Sequence, residues 1–179
     1  VYALYRDIAA ETSLPIIIYN NRPKTNITVE PRTVAKLAEI ENIVGVKDST
    51  GDMTNTEEYL RLTRGAKNFH VMMGRDTLIY AALCYGATGA IASCANVAPR
   101  IASDIYDKFI AGDREGALEA QFKFSALRIA TSMGTFPVVL KEALKMIGHD
   151  CGDCVKPIQP LNDEQRGRLR AVLVEMGLL

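Results

Sequence analysis

The chain has 179 residues, 21 basic and 21 acidic side chains, no net charge and 48% apolar residues. That composition fits a globular domain with a real core and gives no basic face for nucleic acid. No apolar run approaches the ~18 residues of a membrane span, no basic-then-apolar leader opens the chain, and four scattered cysteines suit a reducing cytoplasm rather than a disulfide framework.

In chain order, residues 1–12 have amphipathic helical spacing. The chain opens Val1-Tyr2-Ala3-Leu4-Tyr5 with no methionine, as though already inside a helix, so a preceding segment is expected. Residues 14–20 are β-branched behind Pro15 and predict a strand buried on both faces. Residues 21–27 predict a loop. Thr28 is the expected cap of a helix that carries Pro31 in its first turn and runs to residue 41. Residues 43–47 predict a second strand. A polar loop leads to a helix over 55–63 and a third strand over 69–73, which Gly74 ends. A short helix over 77–85 closes at Gly86, and a fourth strand spans 89–93.

Strand and helix thus alternate four times, at intervals of roughly 20–28 residues. A (β/α)8 barrel uses about 31 per unit. An open doubly wound sheet has a similar rhythm, but no G-x-G-x-x-G follows the first strand to mark a dinucleotide site. After Pro99 only helices are expected, over 99–110, 113–133, 136–147 and 162–176. Asp113 is placed to cap one, and Asn162 with Gln165 to form a capping box on the last. The predicted fold class is α/β: about the last four βα units of a (β/α)8 TIM barrel, followed by a helical C-terminal domain. The expected division is 1–110 for the half-barrel and 111–179 for the helices. Four units leave both sheet edges open, so other units or a partner chain are expected to complete them.

Sites in β/α folds lie at strand C-termini. Those ends carry Tyr19-Asn20, Lys47-Asp48-Ser49-Thr50, Gly74-Arg75-Asp76 and Ser93-Cys94-Ala95-Asn96. Lys47 would emerge from Val44-Gly45-Val46 into a low-dielectric mouth. Desolvation favours the uncharged amine, which can attack a ketone and form a Schiff base. The competing reading is a lysine that snorkels to solvent, salt-bridged to Asp48. Tyr19 lies at the matching height one unit earlier, where its hydroxyl can pass protons. Otherwise it is a strand tyrosine with a packed ring. Gly74, Gly86 and Gly89 read as turn and cap glycines, and the gap at Gly74 also admits a small ligand. Cys151-Gly152-Asp153-Cys154 with His149 is one ligand short of a zinc site and not on a strand-to-helix turn, so neither metal nor redox chemistry is expected there. His70 starts a strand and is expected to be structural.

Three stretches carry a resemblance. They are Leu14-Pro15-Ile16-Ile17-Ile18-Tyr19-Asn20, then Gly45-Val46-Lys47-Asp48-Ser49-Thr50-Gly51-Asp52, and Gly86-Ala87-Thr88-Gly89-Ala90-Ile91-Ala92-Ser93 through Ala95-Asn96-Val97-Ala98-Pro99. With the closing Pro157-Ile158-Gln159-Pro160-Leu161, their order and spacing make the chain similar to the later part of the dihydrodipicolinate synthase and N-acetylneuraminate lyase family. The resemblance implies a class I aldolase-type lyase that uses pyruvate without cofactor or metal, and a tetramer or dimer. It implies that Lys47 is the Schiff-base lysine, Tyr19 the proton-relay hydroxyl, and Gly74 and Ile91 parts of the pyruvate pocket. The implied acceptor is an aldehyde: aspartate semialdehyde in lysine biosynthesis, or a 2-keto-3-deoxy sugar acid skeleton in the aldolases and dehydratases. A truncated, non-catalytic assembly partner is the alternative of another class. Two departures stand out. The family's first four βα units, with the hydroxyl residues that hold the pyruvate carboxylate, precede the matched region, so this stretch alone is expected to be inactive. The synthases also place an arginine, for the second carboxylate, where Lys24 falls. Arg22 lies two residues early, and lysine lacks the bidentate fork. Thr135-Phe136-Pro137-Val138-Val139 likewise departs from the synthases' usual Asn-Pro-x-Pro.

Overall fold

A computed structural model describes residues 1–179. They form two compact units, 1–91 and 92–179. The sequence reading carried the half-barrel to residue 110. The compact division instead falls just before the 3-10 turn Ser93–Asn96 that follows the last strand.

The first unit runs α1 (Tyr2–Ala10), β1 (Ile16–Asn20), α2 (Arg22–Thr25), α3 (Pro31–Leu37), β2 (Ile43–Asp48), α4 (Met53–Thr63), β3 (His70–Met73), a 3-10 turn Asp76–Leu78, α5 (Ile79–Tyr85) and β4 (Gly89–Ala90). The four strands are parallel in the order β1-β2-β3-β4. This is the sequential half of a β/α barrel, as expected from the alternation. One face of the sheet carries the core. Ile18, Val46 and Val71 pack there with Ala9, Val34, Leu37 and Tyr59 of the covering helices. Leu37 is fully buried, the setting in which truncation to alanine costs about 2–5 kcal/mol.

Several boundaries differ from expectation, each for a local reason. Glu30, not Thr28, is the residue before α3, and no side chain caps it. Pro31 at the first helical position forces its predecessor into extended backbone, φ −59° and ψ 140°. The helix stops at Leu37 because Ile40 N–H turns back to the Leu37 carbonyl at 3.0 Å in the next turn. α4 begins at Met53, since Asp52 Oδ1 accepts from Thr54 N–H at 2.9 Å. The predicted loop 21–27 contains the single turn α2, closed by Asn26 in the left-handed region. β4 spans two residues rather than five. Ile91 N–H still bonds the Met73 carbonyl at 2.9 Å, and the backbone then turns into the Ser93–Asn96 3-10 turn.

The second unit holds α6 (Pro99–Ile110), α7 (Arg114–Ala130), α8 (Val138–Met146) and α9 (Asp163–Glu175). α6 packs along α7, and α9 packs on both α7 and α8. Ile105, Ala117, Phe124, Leu127, Ala143, Leu169 and Leu173 are buried in its core. Asp113 caps α7 through Gly116 N–H at 2.8 Å. The α9 capping box is present, with bonds of 2.9 and 2.8 Å between Asn162 and Gln165. No helix is long and apolar enough to cross a membrane.

Candidate active site

The parallel register sets the site. Tyr19 pairs with Lys47, and Asn20 with Asp48. Successive residues of a strand point to opposite faces, so the rim presents two different pairs. Tyr19 and Lys47 lie on the face away from the helices, where Tyr19 is 48% exposed and Lys47 half-buried. Asn20 and Asp48 lie on the helix side, fully buried.

On the open face the Lys47 amine rests over the Tyr19 ring, 4.3 Å from its centroid. An ammonium on an aromatic face gains about 0.5–1 kcal/mol where exposed. The Tyr19 hydroxyl accepts a hydrogen bond from Asn21 Nδ2 at 2.9 Å and keeps its own proton to donate. Backbone pairing thus sets an amine and a phenol side by side, and the Asn21 amide orients the phenol. The salt bridge from Lys47 to Asp48 considered from sequence is not formed, because the two side chains leave the strand on opposite faces.

Gly74 ends β3 against Ser49. Its N–H donates to the Asp48 carbonyl at 2.7 Å. A Cβ built on Gly74 would lie 2.0 Å from Ser49 Oγ and 2.8 Å from the Asp48 carbonyl oxygen. The glycine is therefore a close-approach residue that brings the ends of β2 and β3 together. Ile91 follows β4 and is 43% exposed. Arg22 and Lys24 both sit on α2 and are exposed. Arg22 lines a cleft of about 390 Å³ with Thr28, Glu30, Thr50, Asp52 and Asn55, and Lys24 does not.

Sequence reasoning missed what lies beneath this rim. The Asp48 carboxylate accepts four hydrogen bonds. Asn20 Nδ2 (3.2 Å) and Thr50 N–H (3.1 Å) donate to Oδ1, and Asn55 Nδ2 (3.1 Å) and Thr56 Oγ1 (2.7 Å) donate to Oδ2. Asn20 Nδ2 also donates to the Tyr59 hydroxyl at 2.8 Å, and Tyr59 donates to the Val29 carbonyl. Burial, above all, pushes the Tyr59 phenol well above the ordinary tyrosine range. The available signal was the period of two: the polar residue after each rim residue of a buried strand must point into the helix layer and needs partners there.

The remaining sequence candidates lie elsewhere. His70 starts β3 and is exposed. Cys151 and Cys154 are free thiols in a loop whose Cys151, Gly152 and Asp153 carbonyls accept from Lys141 Nζ at 3.0–3.1 Å. No cluster of three His, Cys, Asp or Glu side chains suited to a metal forms.

Four parallel βα units with a lysine and a tyrosine on paired strand ends, followed by a helical unit, define a (β/α)8-barrel protein seen over part of its barrel. The chain belongs to the dihydrodipicolinate synthetase family, whose model matches residues 1–176. It is 36% identical to the 4-hydroxy-tetrahydrodipicolinate synthase of Methanothrix thermoacetophila over 97% of this chain and 58% of that protein. Its fold matches the dihydrodipicolinate synthase of Thermotoga maritima with a TM-score of 0.94 at 32% identity, covering 99% of this chain and 61% of that one. The chloride-inhibited synthase from Acinetobacter baumannii complexed with pyruvate matches with a TM-score of 0.91 at 31% identity, over 99% and 60%. The chain spans about three fifths of the length of these relatives.

Proposed function

We propose that this chain carries the nucleophile of a pyruvate-dependent lyase, and that the protein it belongs to acts as a 4-hydroxy-tetrahydrodipicolinate synthase. The observation that carries the reading is the Lys47 amine lying on the Tyr19 ring at register-paired strand ends. In this reading the free amine of Lys47 attacks the pyruvate ketone carbon. The carbinolamine loses water to give an iminium ion, and Tyr19 hands the leaving hydroxyl its proton. Loss of a methyl proton makes the enamine. Its carbon attacks the aldehyde carbon of aspartate semialdehyde, whose oxygen takes up a proton. The amino group of that substrate then adds to the iminium carbon, and the Lys47 nitrogen takes up a proton and leaves, which closes the product ring and returns the amine. Gly74 and Ile91 border the pyruvate at the rim.

In this reading Arg22 rather than Lys24 takes the carboxylate of the second substrate, because Arg22 lines a cleft with Thr50 of the connection after Lys47 and Lys24 does not. Its fork also suits a carboxylate better than an ammonium does. A cytoplasmic homo-oligomer belongs to the same reading. The test is turnover by the full-length protein with pyruvate and a panel of aldehydes. Preference for aspartate semialdehyde is expected, lost in Arg22→Ala through KM. Preference for an acceptor with no second carboxylate contradicts the assignment.

A further inference from the structure

Both walls of the cleft that Arg22 lines hang from one buried carboxylate, that of Asp48. The wall at Thr50, Asp52 and Asn55 is tied directly: Thr50 N–H and Asn55 Nδ2 donate to Asp48 at 3.1 Å each. The wall at Arg22, Thr28 and Glu30 is tied through Val29. Asn20 Oδ1 accepts from Val29 N–H at 3.1 Å, Tyr59 donates to the Val29 carbonyl, and Asn20 Nδ2 bridges Tyr59 to Asp48. Both backbone polar groups of one connecting residue are therefore gripped by side chains, as a neighbouring strand would grip them. Val29, Asn20, Tyr59 and Asp48 are all buried.

This grip satisfies the buried Val29 backbone but does not set the strand pairing. β1 and β2 are already paired by their backbones, which hold Tyr19 opposite Lys47. What the Asn20–Tyr59 grip adds is a fixed path for residues 21–30, which carry Arg22. We propose that Asn20 and Tyr59 are positioning residues for the second substrate: they strap the connection after β1, and with it Arg22, at a set distance from the Lys47 rim. The inference rests on the reading of Lys47 as the nucleophile and Arg22 as the acceptor's carboxylate partner. It divides the site's dependence in two. Pyruvate capture depends on the strand pairing, and acceptor binding depends on the strap.

The division is measurable in the full-length protein with Asn20→Asp and Tyr59→Phe. Asn20→Asp keeps the shape but sets a second carboxylate 3.2 Å from Asp48 and removes the donor to Tyr59. Tyr59→Phe keeps the ring and removes only the hydroxyl that holds Val29. Three readouts apply to each: borohydride trapping of pyruvate on Lys47, KM and kcat with aspartate semialdehyde, and amide exchange over residues 22–29. Both variants are expected to trap pyruvate as the parent does. Both raise the acceptor KM by about tenfold or more with a smaller change in kcat, and exchange faster over 22–29. Unchanged acceptor KM in both variants overturns the proposal, as does loss of trapping in step with the acceptor defect. If the parent traps no pyruvate, the reading of Lys47 fails. The strap is then judged by exchange alone, where unchanged protection over 22–29 overturns it.

Discussion

The side chain of Tyr19 gains its meaning from its neighbour. Its ring lies under the Lys47 amine and its hydroxyl is oriented by Asn21. Removing the hydroxyl while leaving the ring separates these two contributions. Tyr19→Phe in the full-length protein should lower kcat by about 10²–10⁴-fold, the range for a lost general acid–base group, with the ring, and so its packing, left in place. Wild-type kcat in that variant contradicts a proton-relay role. Gly74 makes the opposite case, since space rather than chemistry selects it. Gly74→Ala drives a Cβ to within 2.0 Å of Ser49 Oγ, and overpacking of this kind costs about 1–3 kcal/mol. Chemical denaturation should show that loss, and Ser49→Ala beside it should recover only part, because the Asp48 carbonyl lies 2.8 Å from the same Cβ. Neither role for Gly74 could be separated in the sequence, where a strand-ending glycine reads equally as turn, cap or gap.

At the scale of elements, the strands and helices were legible because their period was. Four apolar strand runs and the covering helices appear in the predicted order, and α6 has the predicted ends, Pro99–Ile110. Failures cluster where backbone chemistry competes with pattern. Thr28 has a good cap side chain but lies three residues before Pro31, and the proline dictates where α3 begins. β4 carries strand-like residues through 93, but its ladder with β3 ends at Met73–Ala90. The buried network was invisible because Asn20, Val29, Asp48 and Tyr59 are far apart in the chain and are joined only by the parallel register and the fall of α4 over the sheet. Its presence has a consequence at high pH. The folded state holds the Tyr59 proton more tightly than the unfolded chain does. Below about pH 10 both states keep it. Above that the unfolded phenol ionises first, so the folded state binds more protons and stability falls as pH rises. Urea midpoints measured upward from pH 8 should therefore fall more steeply in the parent than in Tyr59→Phe, which lacks the group. Parallel slopes contradict the assignment of that loss to Tyr59.

For the whole molecule, the fold and family were readable from four apolar strands and three motifs; the sheet agrees with the first and the family match with the second. The acceptor was less legible. In the sequence Lys24 has the expected position without the fork and Arg22 the fork two residues early, and only the folded chain shows that Arg22 lines the cleft and Lys24 does not. The central claim is that Lys47 is the nucleophile, and one measurement bears on it most directly. The full-length protein is incubated with pyruvate, reduced with borohydride, digested and mapped by mass spectrometry, alongside Lys47→Ala. A single reduced pyruvate adduct on Lys47, absent from the folded Lys47→Ala variant, is the predicted result. A folded parent protein that carries no adduct, or carries it on another lysine, contradicts the account.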